Sequence, residues 1–136
     1  MAFGKELIID LYDCDVEKFN RSSIKQWLDE LCKLIDMKQE DLYFWDYKWF
    51  WFWRIIYFWK GLKLPTEKHL LGTSAIQFIT TSNITIHTLD LVGECYINIF
   101  SCKDFDIKEA ASFSRRWFEA KKVWTKVLER GTESKV

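Results

Sequence analysis

Ser82 stands in TTSNITIHT, eight residues after Ser74 of GTSA, five before His87 and twenty before Cys102 of IFSC. A serine hydroxyl can attack the carbonyl just before it, here that of Thr81, and turn the amide into an ester. Removal of the Ser82 α-proton then permits β-elimination, and hydrolysis leaves a keto-acyl group where the serine was. Taken singly, the same residues have plainer readings. Thr81 and Ser82 read as strand-edge hydroxyls, His87 as a hydrogen-bonded sheet histidine, and Cys102 as a small buried hydrophobe, like Cys32. Cys14 and Cys95 carry no role on sequence grounds, and His69 reads as a solvated loop residue.

The elements that must position these residues follow from periodicity. KELIIDLYDC, Lys5 to Cys14, is short and β-leaning, with Asp13 and Asp15 at its end. Ser23 and Gln26 fit a capping box, and Ile24, Trp27, Leu28, Leu31 and Ile35 recur at helical spacing, which predicts a helix from about Ser23 to Met37. SAIQFIT, NITIHTL and ECYINIFSC are rich in β-branched and aromatic residues and predict three strands. A second helix is expected after Asp106 as N-cap, with Glu109 three residues later, and a last strand at KVWTKVL before a frayed polar tail. The order predicts an α+β two-layer sandwich, an antiparallel sheet with helices on one face, in a single domain over residues 1–136. Alternation sends Ile84 and Ile86 one way and Thr85 and His87 the other. Ile97 and Ile99 likewise oppose Asn98, Phe100 and Cys102. His87 and Cys102 are therefore expected on the uncovered face, for which a second subunit is the economical cover.

In this register the chain resembles the short prokaryotic S-adenosylmethionine decarboxylases, which are pyruvoyl-dependent. The likeness rests on Ser74 in GTSA, Ser82, His87 in TIHT and Cys102 in FSC, and extends to GKELIIDLYDCD and EAKKV. It implies cleavage between Thr81 and Ser82 and a pyruvoyl group derived from Ser82 that binds substrate as a Schiff base and serves as electron sink. It also implies that His87 is the processing base, that Ser74 stabilises the cyclic intermediate, and that Cys102 returns a proton to the product carbon. The resemblance further implies a homodimer whose active sites lie at the subunit interface, the cleaved serine and cysteine from one protomer, the other serine and the histidine from its partner.

Some positions depart from the pattern. Thr81 replaces a glutamate and Asn83 a histidine, and the Trp-Pro-Glu segment is absent. The ribose-binding glutamate expected four residues after His87 is Leu91; Asp90, one place short, substitutes only if a turn intervenes. The leading expectation is decarboxylation of S-adenosylmethionine, which supplies the aminopropyl donor for spermidine. Decarboxylation of ornithine or arginine is the second reading, and an uncleaved homologue that acts as a binding subunit is the third.

Residues 42–62, LYFWDYKWFWFWRIIYFWKGL, hold half of the chain's aromatic side chains and read as an insertion. Asp46, Lys48, Arg54 and Lys60 interrupt every apolar run, far short of the roughly twenty residues a membrane-spanning helix needs. The expectation is two long strands packed in the core and at a subunit contact. Twenty basic and twenty acidic residues cancel, so no global field draws nucleic acid or anionic membrane. The four cysteines show no metal spacing, and no metal is expected. The N-terminal apolar run contains charges and is no signal peptide, so a reduced cytoplasmic setting is expected.

Overall fold

The computed structural model describes residues 2–46, 59–61 and 71–133. His69 and most of the aromatic segment lie outside them. The first strand, β1 (Gly4–Tyr12), buries Leu7, Ile9 and Leu11 on one face. Helix α1 (Arg21–Leu34) begins two residues earlier than its spacing predicts. The Asn20 side chain caps it by accepting from the Ser23 N–H at 2.8 Å, while the Ser23 hydroxyl is engaged by the Trp117 indole N–H at 3.1 Å. The helix also ends earlier than Met37: Ile35 is its C-cap and Asp36 turns left-handed, at φ 54°.

Strand β2 (Gln39–Asp46) takes in the first residues of the aromatic segment. The Arg21 guanidinium grips the Asp46 carboxylate with two bonds of 2.7 Å and so ties the end of β2 to the start of α1. Strands β3 (Thr73–Ile79), β4 (Ser82–Leu89) and β5 (Glu94–Ser101) fall where β-propensity placed them. Helix α2 (Ile107–Trp117) starts as expected, the Asp106 carboxylate accepting from the Glu109 N–H. β6 (Lys122–Arg130) outlasts its predicted end, because Arg130 pairs with Gly4 and its guanidinium binds Glu6 at 2.8 Å.

All pairings are antiparallel, in the order β2-β3-β4-β5-β1-β6, and the helices pack on one face, so the chain has the expected α+β two-layer form. Between the layers Trp27 meets Phe118 with ring centroids 5.4 Å apart, and its indole N–H reaches the buried Ser114 hydroxyl. The apolar side of β1, β4 and β5 completes this core, each fully buried Leu or Ile contributing roughly 1.5–3 kcal/mol.

No described element covers the other face. There the register lines up Trp45, Ser74, His87, Tyr96, Asp10 and Trp124 in one row across six strands. Tyr43, Trp45, Ile76, Phe78 and Trp124 are exposed on it. His87 lies on this face as alternation predicts. Cys102 is a correction: β5 stops at Ser101, and Cys102 sits exposed in the bend beyond, where strand alternation no longer fixes its side.

Candidate active site

The β3–β4 hairpin turns on two residues, Thr80 and Thr81, and the turn sets Ile79 opposite Ser82. Ser82 shares the parity of Ile84 and Ile86, so its side chain points to the helix layer and is only 6% exposed. Buried there, its oxygen requires a partner. The Cys102 backbone N–H supplies one, donating to Ser82 Oγ at 3.2 Å. The bend that presents this N–H is held by Ser101, whose hydroxyl accepts from the Lys103 N–H at 3.0 Å. Ser82 and Cys102 therefore meet at one end of the sheet. Cys102 opens onto a cavity of about 350 Å³ lined also by Phe3, Lys5 and Lys103, where Lys5 and Asp104 form an ion pair.

Ser74 and His87 are directly opposed on β3 and β4, and Ser74 Oγ lies 2.7 Å from His87 Nδ1. Their register begins two residues earlier in a close backbone approach. A Cβ on Gly72 would sit 1.8 Å from the Thr88 carbonyl oxygen, so only glycine fits there. Next to it the Thr73 N–H donates to Thr88 Oγ1 at 2.8 Å. The glycine of the Gly-x-Ser stretch thus has a packing reason: it allows the strands to close, which brings the serine to the histidine.

On the other side of His87 the row continues into an acidic and phenolic group that motif spacing did not single out. Tyr96 donates to Glu94 at 2.6 Å, and that bond, with burial, pushes its phenol up to about 12. Burial first, and Glu94 nearby, raise the Asp10 carboxyl above its ordinary value, against a weak opposing bond from Tyr12. Alternation along CYINIFSC gave the signal, since Tyr96 shares parity with Asn98 and Phe100. Cys14 was likewise assigned nothing, yet its thiol is lowered by a contact with Cys95, while burial holds Cys95 well above its ordinary value.

The two pairs do not meet within one chain. From the Ile79–Ser82 rung to the Ser74–His87 rung is five residues of strand, about 17 Å at roughly 3.3 Å per residue, and Ser82 faces away from His87. Asp90 lies in the turn that follows Leu89, which satisfies the condition under which it could stand near His87. The residue as a whole is exposed, but the turn crowds its carboxyl, and partial burial raises it despite a bond from Thr88 Oγ1 at 3.1 Å. Leu91 is 56% exposed. Among the described residues no cluster of three or more His, Cys, Asp or Glu could hold a metal, and no helix is long and apolar enough to cross a membrane.

A keto-acyl group made from position 82 is chemically compatible with these surroundings. Ser82 Oγ accepts rather than donates in its bond to Cys102, so its own proton stays transferable. Compared with known proteins, the chain is similar across its length to the crystal structure of the adenosylmethionine decarboxylase from Aquifex aeolicus VF5. The TM-score is 0.74 at 18% identity, with 99% of this chain and 96% of that one covered, which establishes the shared fold. The family model for S-adenosylmethionine decarboxylase matches residues 5–131. The chain belongs to the S-adenosylmethionine decarboxylase family.

Proposed function

We propose that the chain is a self-processing, pyruvoyl-dependent decarboxylase of S-adenosylmethionine, serving spermidine synthesis, with Ser82 as the precursor of its cofactor. The observation that carries this reading is the sorting of four residues, scattered in sequence, into two pairs: Ser82 bonded to the backbone N–H of Cys102, and the Ser74 hydroxyl bonded to His87. Processing begins when Ser82 Oγ attacks the Thr81 carbonyl carbon. The new C–O bond replaces the C–N bond, and the hydroxyl proton passes to the released amine. His87 then takes the α-proton of residue 82. The 2.7 Å contact allows the tautomer that donates Nδ1–H to Ser74, and in that tautomer Nε2 carries the free lone pair for the task. Elimination frees the Thr81 carboxylate, and water converts the resulting dehydroalanine to the pyruvoyl group with loss of ammonia.

When formed, that group supplies an electrophilic carbonyl that takes up the electrons of the departing carboxylate. The chain's own part is to place and protonate. Cys102, exposed and lining the cavity at the end of β5, delivers a proton to the product carbon. Asp90, in its turn beyond His87, is the carboxylate offered to the ribose hydroxyls. The 17 Å between the pairs favours a homodimer in which His87 and Ser74 of one protomer serve Ser82 and Cys102 of its partner. A cytoplasmic setting suits the free thiol of Cys102.

A second substrate reading rests on Leu91, an exposed leucine where the resemblance calls for a ribose-binding glutamate. The same pyruvoyl chemistry would then act on ornithine or arginine. Intact mass spectrometry of the purified protein tests the processing step: two fragments, one ending at Thr81 and one opening on a pyruvoyl-blocked position 82. Ser82→Ala is expected to remain full length and inactive. Cys102→Ala is expected to cleave yet release labelled CO2 poorly. A full-length mass that persists on incubation refutes self-processing, and release from ornithine or arginine alone assigns the other substrate.

A further inference from the structure

Four non-glycine residues among those described hold a positive φ: Asp13, Asp36, Thr81 and Glu119. Asp36 and Glu119 each follow a helix end, where a left-handed residue closes the last turn. Asp13 is of a type that tolerates this conformation. Thr81, at φ 62°, is the β-branched member, and it contributes the carbonyl next to Ser82.

We propose that this left-handed backbone is a spring for self-processing and that Thr81 is a positioning residue for the acyl shift onto Ser82. The proposal rests on the self-processing reading above. A two-residue hairpin that needs positive φ at its second position takes glycine or asparagine by preference. Here the Cβ of a β-branched residue is forced against the adjoining carbonyl instead, a conformation disfavoured about tenfold, or ~1.4 kcal/mol. Among the described residues no other contact accounts for threonine at this place. The residue is exposed, and its hydroxyl donates only to the carbonyl of its neighbour Thr80, at 2.8 Å.

Thr80 is tied toward β2 by its N–H on the Lys38 carbonyl and its hydroxyl on Glu40. The side of the turn that holds Thr81 and depends on an intact amide at position 82 is therefore the rung between Ile79 and Ser82. When Ser82 Oγ bonds to the Thr81 carbonyl carbon and the C–N bond breaks, the nitrogen leaves as an amine and the turn is no longer closed by a peptide plane. Thr81 then relaxes to negative φ. The strain is therefore present in the amide and absent in the ester, so it speeds the forward shift and opposes the reverse.

The test compares cleavage rates of full-length precursor made by cell-free translation, followed by intact mass. Thr81→Val keeps the β-branch and loses the hydroxyl, and is expected to cleave within about twofold of the parent. Thr81→Asn and Thr81→Gly relieve the strain, and are expected to cleave about tenfold more slowly. The melting temperature, measured for each change in an uncleavable Ser82→Ala background, should be no lower with Asn or Gly. Slower cleavage without loss of stability supports the spring, because a residue needed only for folding would lower both. Asn and Gly cleaving as fast as the parent, a slow Val variant, or a lower melting temperature with Asn and Gly overturns it, while parental cleavage leaves the self-processing reading standing. A parent chain that never cleaves overturns both.

Discussion

If one protomer's Ser82 depends on its partner's His87, two dead chains should restore each other. The perturbation is to co-express Ser82→Ala with His87→Ala, so that dimers form as the chains are made. Within a single chain the distance to be bridged is five strand residues, about 17 Å, against the roughly 3 Å over which a base takes a proton directly. The sheet between them is fixed by continuous pairing on both sides of β4, so no local movement closes that gap.

In a two-fold dimer each site then draws its serine from one chain and its histidine from the other. With random assortment roughly half of the dimers are mixed, and each mixed dimer holds one site with both groups intact. About a quarter of all chains, every one of them a His87→Ala chain, should appear as fragments. Intact mass identifies them, because the C-terminal fragment carries the histidine change. Each variant expressed alone should stay whole. Cleavage of the His87→Ala chain alone, or no cleavage in the mixture, would refute the shared-site reasoning while leaving the fold untouched.

Two further outcomes follow from the residues around the histidine. Gly72→Ala drives a methyl group into the Thr88 carbonyl, and should cost about 1–3 kcal/mol of stability by denaturant titration. Because the same contact sets the register of Ser74 on His87, its processing should slow more than that of an equally destabilised core variant. Asp10 has a carboxyl raised by burial, so the folded state holds its proton more tightly than the unfolded chain. That contribution is present below 3.8, the ordinary value, and is lost as pH rises through the folded value. Asp10→Asn should therefore melt higher than the parent at pH 7 and match it below 3.8; a variant less stable at neutral pH contradicts this.

Local chemistry made much of the fold legible. Period-two alternation sorted β4 correctly, and Asp106 with Glu109 announced α2 because both partners of that cap lie within four residues. Where two residues competed for one role, sequence alone could not decide. Asn20 and Ser23 both suit an N-cap, and Asn20 takes it while Ser23 binds Trp117, far away in the chain. Cys102 lies one residue past the last rung of β5, so the alternation that sorts the strand does not reach it. The contact between Ser74 and His87 was implicit in a single unknown. Once the turn is placed at Thr80 and Thr81, the pairing of Ile79 with Ser82 carries along the ladder to Ser74 and His87. A Thr-Thr pair sends no turn signal of the Asn-Gly kind, so the register stayed hidden until the backbone was in view.

That same turn bears on an apparent conflict: Ser82 is buried toward the helices, yet the chemistry proposed for it must reach a substrate. In the intact chain residue 82 is held from both sides, by Thr81 behind it and by the rungs of β4 ahead. In the proposed processing, cleavage would cut the first tether and leave residue 82 as a chain terminus joined to the chain through Asn83. It would also consume the hydroxyl that accepts the Cys102 N–H, and so remove the bond that fixes the side chain inward. Burial of Ser82 would thus restrain only the uncleaved chain. On the proposed chemistry, the event that makes the electrophile would also free it to turn toward the end of the sheet, where Cys102 lies open to solvent.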